Sequence, residues 1–488
     1  MFPRITTRLP LVIGATALAA IALSSSAAHA SEASAGEVRV AVDTVWVILA
    51  GALVFFMNAG FGLLETGLCR AKNAVNILAK NFTVAAIAGL VFFVVGFGIM
   101  FAEGNSVFGM SGWLLGGADN SPAMGEAYAG VFSSLSWAGV PLEAKFFFQA
   151  CFAMTAASIV SGAVAERIRF PAFIAFSALL IALVYPVTGH WIWGGGWLAG
   201  LGFWDFAGST QVHTVGGVAA LIGAIMLGAR RGKFGRDGSV RPIPGHSIPM
   251  ATLGGFILWL GWLGFNAGST MAADPAAISR IAAATMLASF AGILGALVAS
   301  YVRSRTFDLT LLINGCLAGL VGVTAPCAFV SLGSSVAIGL LAGVIVVPAV
   351  ALLDRLRIDD PVGAVSVHLF GGVWGTLAVG LFAEARFSAD VGNGLLFGGG
   401  AGLLGAQALG VVVVGAFVAA ASAVFWFAIR KTIGLRVDEE EEHVGLDLSE
   451  MGMGAYPADS TVRRVAPPEA EQERELLPGK LQDAAEGV

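Results

Sequence analysis

Eleven apolar stretches, each near the length that a helix needs to cross a lipid bilayer, follow one another along this chain. Of its 488 residues, 57% are hydrophobic and 12% are charged, whereas a soluble domain carries roughly 25% charged residues. The stretches cover residues 45–66, 82–101, 144–164, 170–187, 209–228, 248–267, 276–301, 309–329, 334–353, 361–382 and 396–428. The sequence therefore predicts an all-α polytopic membrane protein with eleven transmembrane helices, the last of them long, and no nucleic-acid-binding surface.

The first thirty residues have the features of a secretory signal peptide. Arg4 and Arg8 precede an apolar stretch at residues 11–23, and the A-x-A sequence at residues 28–30 supplies a cleavage site. An uncleaved first helix is the alternative, but this stretch is shorter than the roughly 20 residues that span a bilayer. We therefore predict a signal peptide at residues 1–30, a mature amino terminus outside the cytoplasm and insertion into the cell inner membrane.

The distribution of basic residues predicts the same orientation. With the amino terminus outside, an odd number of spans places the carboxyl end in the cytoplasm, and Lys and Arg should be concentrated in the cytoplasmic loops. The loops on that side hold Arg70, Lys72, Lys80, Arg167, Arg169, Arg230, Arg231, Lys233, Arg236, Arg241, Arg303, Arg305, Arg355 and Arg357, whereas the outer loops hold Arg39, Lys145, Arg280 and Arg386. We therefore expect a membrane domain at residues 31–430 and a cytoplasmic tail at residues 431–488, with a disordered end.

Two segments of the chain share one pattern, D-x-x-G-x-x-x-V-H-x-x-G-G-V, beginning at Asp205 and at Asp360. Matches at this many offsets indicate an internal repeat. Under the predicted topology the first segment enters the fifth span from outside and the second enters the tenth span from inside. The sequence therefore predicts an inverted repeat of five plus five spans, an arrangement typical of transporters whose site lies near the bilayer midplane.

The repeat places His213 and His368 at matching depths. Each aspartate stands where a helix N-cap is needed, and each histidine follows eight residues later, about 12 Å along a helix. Starting from opposite faces of a core about 30 Å thick, both imidazoles reach the central zone. A satisfied core histidine is the usual interpretation of one such residue, but two symmetric ones favour a path for a small polar molecule or a proton. A metal site is a poor alternative, because no third ligand is evident.

Several stretches of this sequence resemble motifs of the ammonium transporter family, the Amt, Mep and Rh proteins. They are RAKNAVNILAKNF from Arg70, SGAVAERIRF from Ser161, DFAGS from Asp205, WLGWLGFNAGS from Trp259 and DDPVGAVSVHLFGGVWG from Asp359. They occur in the family's order, and the resemblance, which is to the bacterial Amt type, covers about residues 40–455. It implies a trimer of eleven-span subunits, each with its own pore, that takes part in nitrogen utilization.

The resemblance also implies roles for individual residues. Phe148, Phe152, Trp193 and Ser269 correspond to an outer site that recruits ammonium, with Asp205 orienting that site. Phe152 and Phe265 correspond to a gate of stacked rings beside Trp262, and His213 and His368 to the pore and proton relay. Aromatic faces attract a desolvating cation with about 0.5–2 kcal/mol each, although ordinary packing is the interpretation we prefer for most of the 33 phenylalanines.

The working hypothesis is that ammonium is recruited outside, loses its proton near the gate and crosses as ammonia, while the proton returns through the histidine pair. A passive ammonia channel and an ammonium sensor acting through the tail are the alternatives. No enzyme constellation, cofactor or metal site is predicted. The tail resembles the family tail that answers to PII-type regulatory proteins. Near the cytoplasmic end of the first span, Glu65 is expected to pair with Arg70 or Lys72.

Overall fold

The computed structural model describes residues 34–122 and 127–456. The predicted signal peptide at residues 1–30 lies outside these ranges. Residues 457–488, which contain the tail end that we expect to be disordered, lie outside them as well.

The described ranges are helical, with isolated bridges and no strand. Ten helices are long and apolar enough to cross a membrane. They are α1 Ala35–Leu68, α2 Ala71–Phe101, α3 Leu142–Val164, α4 Phe170–Gly200, α5 Ser209–Leu227, α6 Ile248–Gly268, α7 Pro275–Ser304, α9 Leu332–Arg355, α10 Ala364–Phe382 and α11 Gly402–Thr432, with the shorter apolar helix α8 at Leu309–Thr324. Two short helices, α12 Glu439–Val444 and α13 Leu446–Ser449, follow in the tail. The prediction of an all-helical polytopic membrane protein is confirmed.

Several helices extend beyond the apolar stretches from which they were predicted. The first begins at Ala35 and not near residue 45, because Ser34 forms a capping box. The Ser34 hydroxyl accepts from the backbone N–H of Glu37 at 3.2 Å, and the Glu37 carboxylate accepts from that of Ser34 at 2.7 Å. Hydropathy locates the part of a helix that faces lipid, whereas the end is set by such polar contacts.

The repeated glycines allow α5 and α10 to pack closely. Gly208 and Gly363, the first glycines of the two motifs, precede the helices in the left-handed region with φ of 115° and 78°. A Cβ on Gly217 would lie 2.6 Å from the backbone nitrogen of Leu369, and one on Gly372 would lie 2.5 Å from the Thr214 hydroxyl. In each case the last glycine of one motif meets the residue after the histidine of the other. Such reciprocal contacts are expected of two elements related by a two-fold axis.

A buried ion cluster joins four loops on one face of the molecule. The Arg230 guanidinium contacts Glu166 at 2.9 Å and Asp359 at 2.8 Å, and Arg70 also pairs with Glu166. Burial alone raises the pKa of a carboxyl, but Arg230 and Arg70 hold the pKa of Glu166 below its ordinary value. Arg167 donates to the backbone carbonyl of Asp359 at 2.9 Å. The loops after α1, α3, α5 and α9 therefore meet.

The first part of the tail packs against this same face. Lys72 donates to the backbone carbonyls of Glu442 and His443 at 2.7 and 2.5 Å. The Asp447 carboxylate accepts from the backbone N–H of Asn76 at 2.8 Å, and the side chain of Asn73 accepts from that of Leu446 at 2.9 Å. The tail up to residue 456 is therefore a docked segment of the structure.

We predict that Arg230→Met destabilises the protein by about 3–5 kcal/mol, because it leaves buried carboxylates without their partner. The measurement is the midpoint of thermal unfolding in detergent. The control is Arg39→Gln, which removes a pair with Asp43 in which the arginine side chain is 77% exposed, and it should cost less than about 1 kcal/mol. Equal midpoints for the two variants would show that the cluster does not hold the loops together.

Candidate functional site

The two repeated histidines lie side by side in the interior. The Nδ1 atoms of His213 and His368 are 3.1 Å apart, and their ring centroids are 5.2 Å apart with an interplanar angle of 18°. One Nδ1 must donate and the other accept, so the pair shares a proton between its rings. The Nε2 atom of His213 is buried without a hydrogen-bond partner in the described chain. That atom is therefore free to exchange a hydrogen bond with a small polar molecule.

A continuous series of rings leads away from His213. Its imidazole stacks on Trp262 at 5.1 Å and on Phe265 at 5.4 Å between centroids. Phe265 stacks on Phe152 at 4.0 Å, and Phe152 contacts Phe148 at 4.7 Å. The rings of Phe152 and Phe265 lie between the histidines and the cavity that Phe148 and Phe152 line.

The five residues of the predicted recruitment site line one cavity of about 720 Å³, here called the aromatic vestibule. They are Phe148, Phe152, Trp193, Asp205 and Ser269. The Trp193 ring lies 6.3 Å from that of Phe152, at 74°. Ser269 donates its hydroxyl proton to the carbonyl of Phe265 at 2.8 Å, so its oxygen lone pairs remain available as acceptors. The vestibule thus combines aromatic faces with an oxygen acceptor.

Asp205 caps the N-terminus of α5. Its two carboxylate oxygens accept four backbone N–H groups, those of Gly208, Ser209, Thr210 and Gln211, at 2.8–2.9 Å. Its backbone carbonyl accepts from the indole nitrogen of Trp193 at 2.6 Å. The carboxylate therefore caps the helix that carries His213, and the same residue positions Trp193.

Asp360 is a weaker counterpart in the second repeat. Its Oδ2 accepts from the backbone N–H and the hydroxyl of Ser366 at 3.0 and 3.1 Å. Its Oδ1 is buried without a hydrogen-bond partner among the described residues. The two aspartates occupy equivalent positions in the motif but do not make equivalent caps.

On the far side of the histidines, His368 and Glu65 line a second, smaller cavity, here called the Glu65 cavity. The expected pairing of Glu65 with Arg70 or Lys72 is wrong. Arg70 pairs with Glu166, and Lys72 binds the tail. Because α1 ends at Leu68, both basic residues lie beyond the helix, while the Glu65 carboxylate points inward.

Glu65 instead joins three helices. Its Oε2 accepts from the Ser161 hydroxyl at 2.7 Å and from the Asn81 amide at 3.0 Å. Lys80, which is completely buried, donates to the backbone carbonyl of Ser161 at 3.0 Å. The carboxyl group of Glu65 and the amino group of Lys80 are thus enclosed beside the cavity.

Sequence reasoning missed two polar residues of these cavities and gave a third, Glu65, the wrong partners. Gln149 lines the aromatic vestibule and Asn314 lines the Glu65 cavity, and each has a buried side-chain oxygen without a hydrogen-bond partner in the described ranges. The signal that could have found them is a polar residue within an apolar span, which is costly and usually functional.

Comparison with known proteins supports one family. The sequence profile of the Ammonium Transporter Family matches residues 45–456. The chain is 41% identical over 432 residues to ammonium transporter Amt2 of Archaeoglobus fulgidus, covering 85% of this chain and 88% of that relative. It is also 41% identical over 448 residues to a putative ammonium transporter of Synechocystis sp., covering 90% and 95% of the two chains.

Solved structures agree with these relatives. A sensor Amt protein superposes with a TM-score of 0.76 and 39% identity over 85% of this chain and 99% of that one. Mep2 of Candida albicans superposes with a TM-score of 0.73 and 30% identity, over 82% and 87%. The resemblance drawn from the motifs is thereby confirmed, and this multi-pass membrane protein belongs to the ammonium transporter family.

Proposed function

We propose that this protein carries ammonium across the membrane by separating it into ammonia and a proton. Ammonium is recruited in the aromatic vestibule, loses its proton near Phe152 and Phe265, and crosses as ammonia past His213 and His368. The proton passes through the histidine pair, so that transport is electrogenic. The observation that carries the proposal is the spatial order of four features: the aromatic vestibule, the stacked rings, the paired imidazoles and the Glu65 cavity.

The energetics favour a neutral permeant between the two cavities. A bare cation there would meet aromatic and aliphatic side chains with few acceptors, and burying an unpaired charge is costly. Ammonia needs only a hydrogen-bond donor and an acceptor, which a neutral imidazole provides. A Nδ1–Nδ1 contact of 3.1 Å also permits a proton to pass from one ring to the other.

We propose eleven spans in five-plus-five inverted repeats, with the amino terminus outside and the carboxyl terminus in the cytoplasm. The ion cluster supports this count, because Arg230 after α5 and Asp359 before α10 meet on one face. An even number of crossings must separate them, so α8 has to cross together with α6, α7 and α9. The basic loops on this face support a cytoplasmic location for it, which makes the aromatic vestibule the outer cavity and the Glu65 cavity the inner one.

The assembly and location are further parts of the proposal. We propose a homotrimer in the cell inner membrane, formed after removal of the signal peptide at residues 1–30. Family membership and the sequence features given above support this. A PII-type regulatory protein at the cytoplasmic face is proposed on the docked tail, whose Glu442 accepts from the backbone N–H of Arg231 at 2.7 Å. A partner that displaced the tail would act on the face that also holds the ion cluster.

An ammonium sensor that signals through this tail is the second candidate function. The similarity to a protein described as a sensor Amt protein is the observation that favours it. Current and ammonia flux distinguish the two candidate functions, because a sensor without transport activity would bind ammonium and give neither.

We predict that Trp193→Leu raises the KM for ammonium about 2- to 30-fold with a small change in the maximal rate, because it removes a cation–π contact of about 0.5–2 kcal/mol. Initial rates of uptake across a range of ammonium concentrations measure this. Trp193→Phe keeps an aromatic face, so its KM should lie between those of the unmodified protein and of Trp193→Leu. A fall in the maximal rate at unchanged KM would place Trp193 outside the recruitment site.

We predict that His213→Ala abolishes the current that an ammonium pulse evokes in proteoliposomes, because the proton loses one partner of its relay. The measurement is the charge moved per pulse, and His246→Ala is the control, since His246 bonds Cys69 and Tyr456 at the tail surface. Ammonia flux without current in the unmodified protein would contradict the relay. A full current in His213→Ala would contradict the role of this residue.

A further inference from the structure

Glu65 is a buried carboxyl group whose chemistry the proposed path does not yet use. The residue is 1% exposed. Ser161 and Asn81 both donate to Oε2, and no described residue donates to Oε1. An ionisable group at this depth is expensive to keep unless it has a function. Oε1 therefore remains as an acceptor beside the cavity.

The position of Glu65 places it after the histidines on the way to the cytoplasm. It lies three residues before the end of α1, about 5 Å along the helix. His368 lies five residues beyond Gly363, about 7.5 Å into α10. Glu65, Gly363 and His368 all line the same cavity, which has room for about one water-sized molecule. A molecule that leaves His368 toward the cytoplasm therefore passes the carboxyl group.

Asn314 supplies a second acceptor in this cavity. The residue is 5% exposed, and its Oδ1 has no hydrogen-bond partner in the part of the chain that the structure describes. A buried amide oxygen without a donor costs stability. Oδ1 of Asn314 and Oε1 of Glu65 are together suited to a small molecule with several N–H donors, such as ammonium.

Two opposing effects act on the protonation state of Glu65. Enclosure by apolar side chains stabilises the acid, whereas Lys80 of α2 stabilises the carboxylate. The other titratable neighbours are His368 of α10 and Cys69 at the end of α1. The facing helices α3, α6 and α8 present Ser161, Leu258 and Asn314, which do not titrate.

We propose that Glu65 is the inner proton-exchange site of the transporter. As a carboxylic acid it gives its proton to ammonia arriving from His368, so that an O–H bond breaks, an N–H bond forms, and a carboxylate and ammonium result. Oε1 of Glu65 and Oδ1 of Asn314 hold the ammonium until it leaves, and the proton relayed by the histidines restores the acid. This inference rests on the proposed separation of ammonia and proton.

A merely structural role for Glu65 predicts a different result for Glu65→Gln. The glutamine oxygen can still accept from Ser161 and Asn81, so these hydrogen bonds between helices would be preserved, whereas proton exchange would be lost. In proteoliposomes between pH 5 and pH 8, we expect Glu65→Gln to reduce the ammonium-evoked charge at least about tenfold and to flatten its pH dependence. Ammonia flux, followed as alkalinisation of the lumen, should persist.

Two further variants complete the test. Glu384→Gln is the control, since Glu384 is a buried carboxylate that binds Arg386 and the backbone of Ser331 and lines neither cavity, and it should leave the current and its pH profile unchanged. Asn314→Leu removes the second acceptor while keeping Glu65, and should reduce the current several-fold. It also provides the test if Glu65→Gln fails to fold.

The outcomes separate this inference from the proposed function. A normal current and pH profile in both Glu65→Gln and Asn314→Leu, beside an abolished current in His213→Ala, would overturn the role of Glu65 alone. No current in the unmodified protein would overturn the proton relay, and with it this inference.

Discussion

Where α5 and α10 cross, each helix presents a glycine to the residue that follows the histidine of the other. Gly217 lies against Leu369, and Gly372 lies against Thr214. A side chain at either position would separate the helices and increase the 3.1 Å distance between the two Nδ1 atoms. Three features depend on this crossing. They are the histidine pair, the stacking of His213 on Trp262 and Phe265, and the separation of the two cavities.

The two repeats make symmetric contacts at this crossing, but the residues at the start of α5 and of α10 differ. Asp205 caps its helix with four backbone hydrogen bonds and faces the vestibule, where a cation is expected to arrive. Asp360 caps less completely, and its end of the path relies on the ion cluster around the neighbouring Asp359. The Asp205 end is thus built around a helix cap and aromatic rings, and the Asp360 end around buried charges and Glu65. This difference suits a path that receives ammonium on one side and releases it on the other.

The histidine pair could be predicted from the sequence because the evidence is local and repeated. Two polar residues at identical offsets in two apolar spans are visible without tertiary information. Phe148, Phe152 and Phe265 carry no such signal among the many phenylalanines, so their selection came from family resemblance. Glu65 was assigned the wrong partner because Arg70 is near in sequence, whereas Ser161 is 96 residues away. Contacts between distant helices decide which buried polar groups meet, and hydropathy does not contain that information.

Measuring charge and nitrogen together in the same proteoliposomes tests the central claim most directly. If ammonia and a proton cross by linked routes, each nitrogen that enters carries one positive charge with it, and the lumen does not become alkaline. We expect a ratio of about one charge per nitrogen. Nitrogen uptake with no accompanying charge and with alkalinisation of the lumen would show that ammonia crosses alone, and would contradict the account.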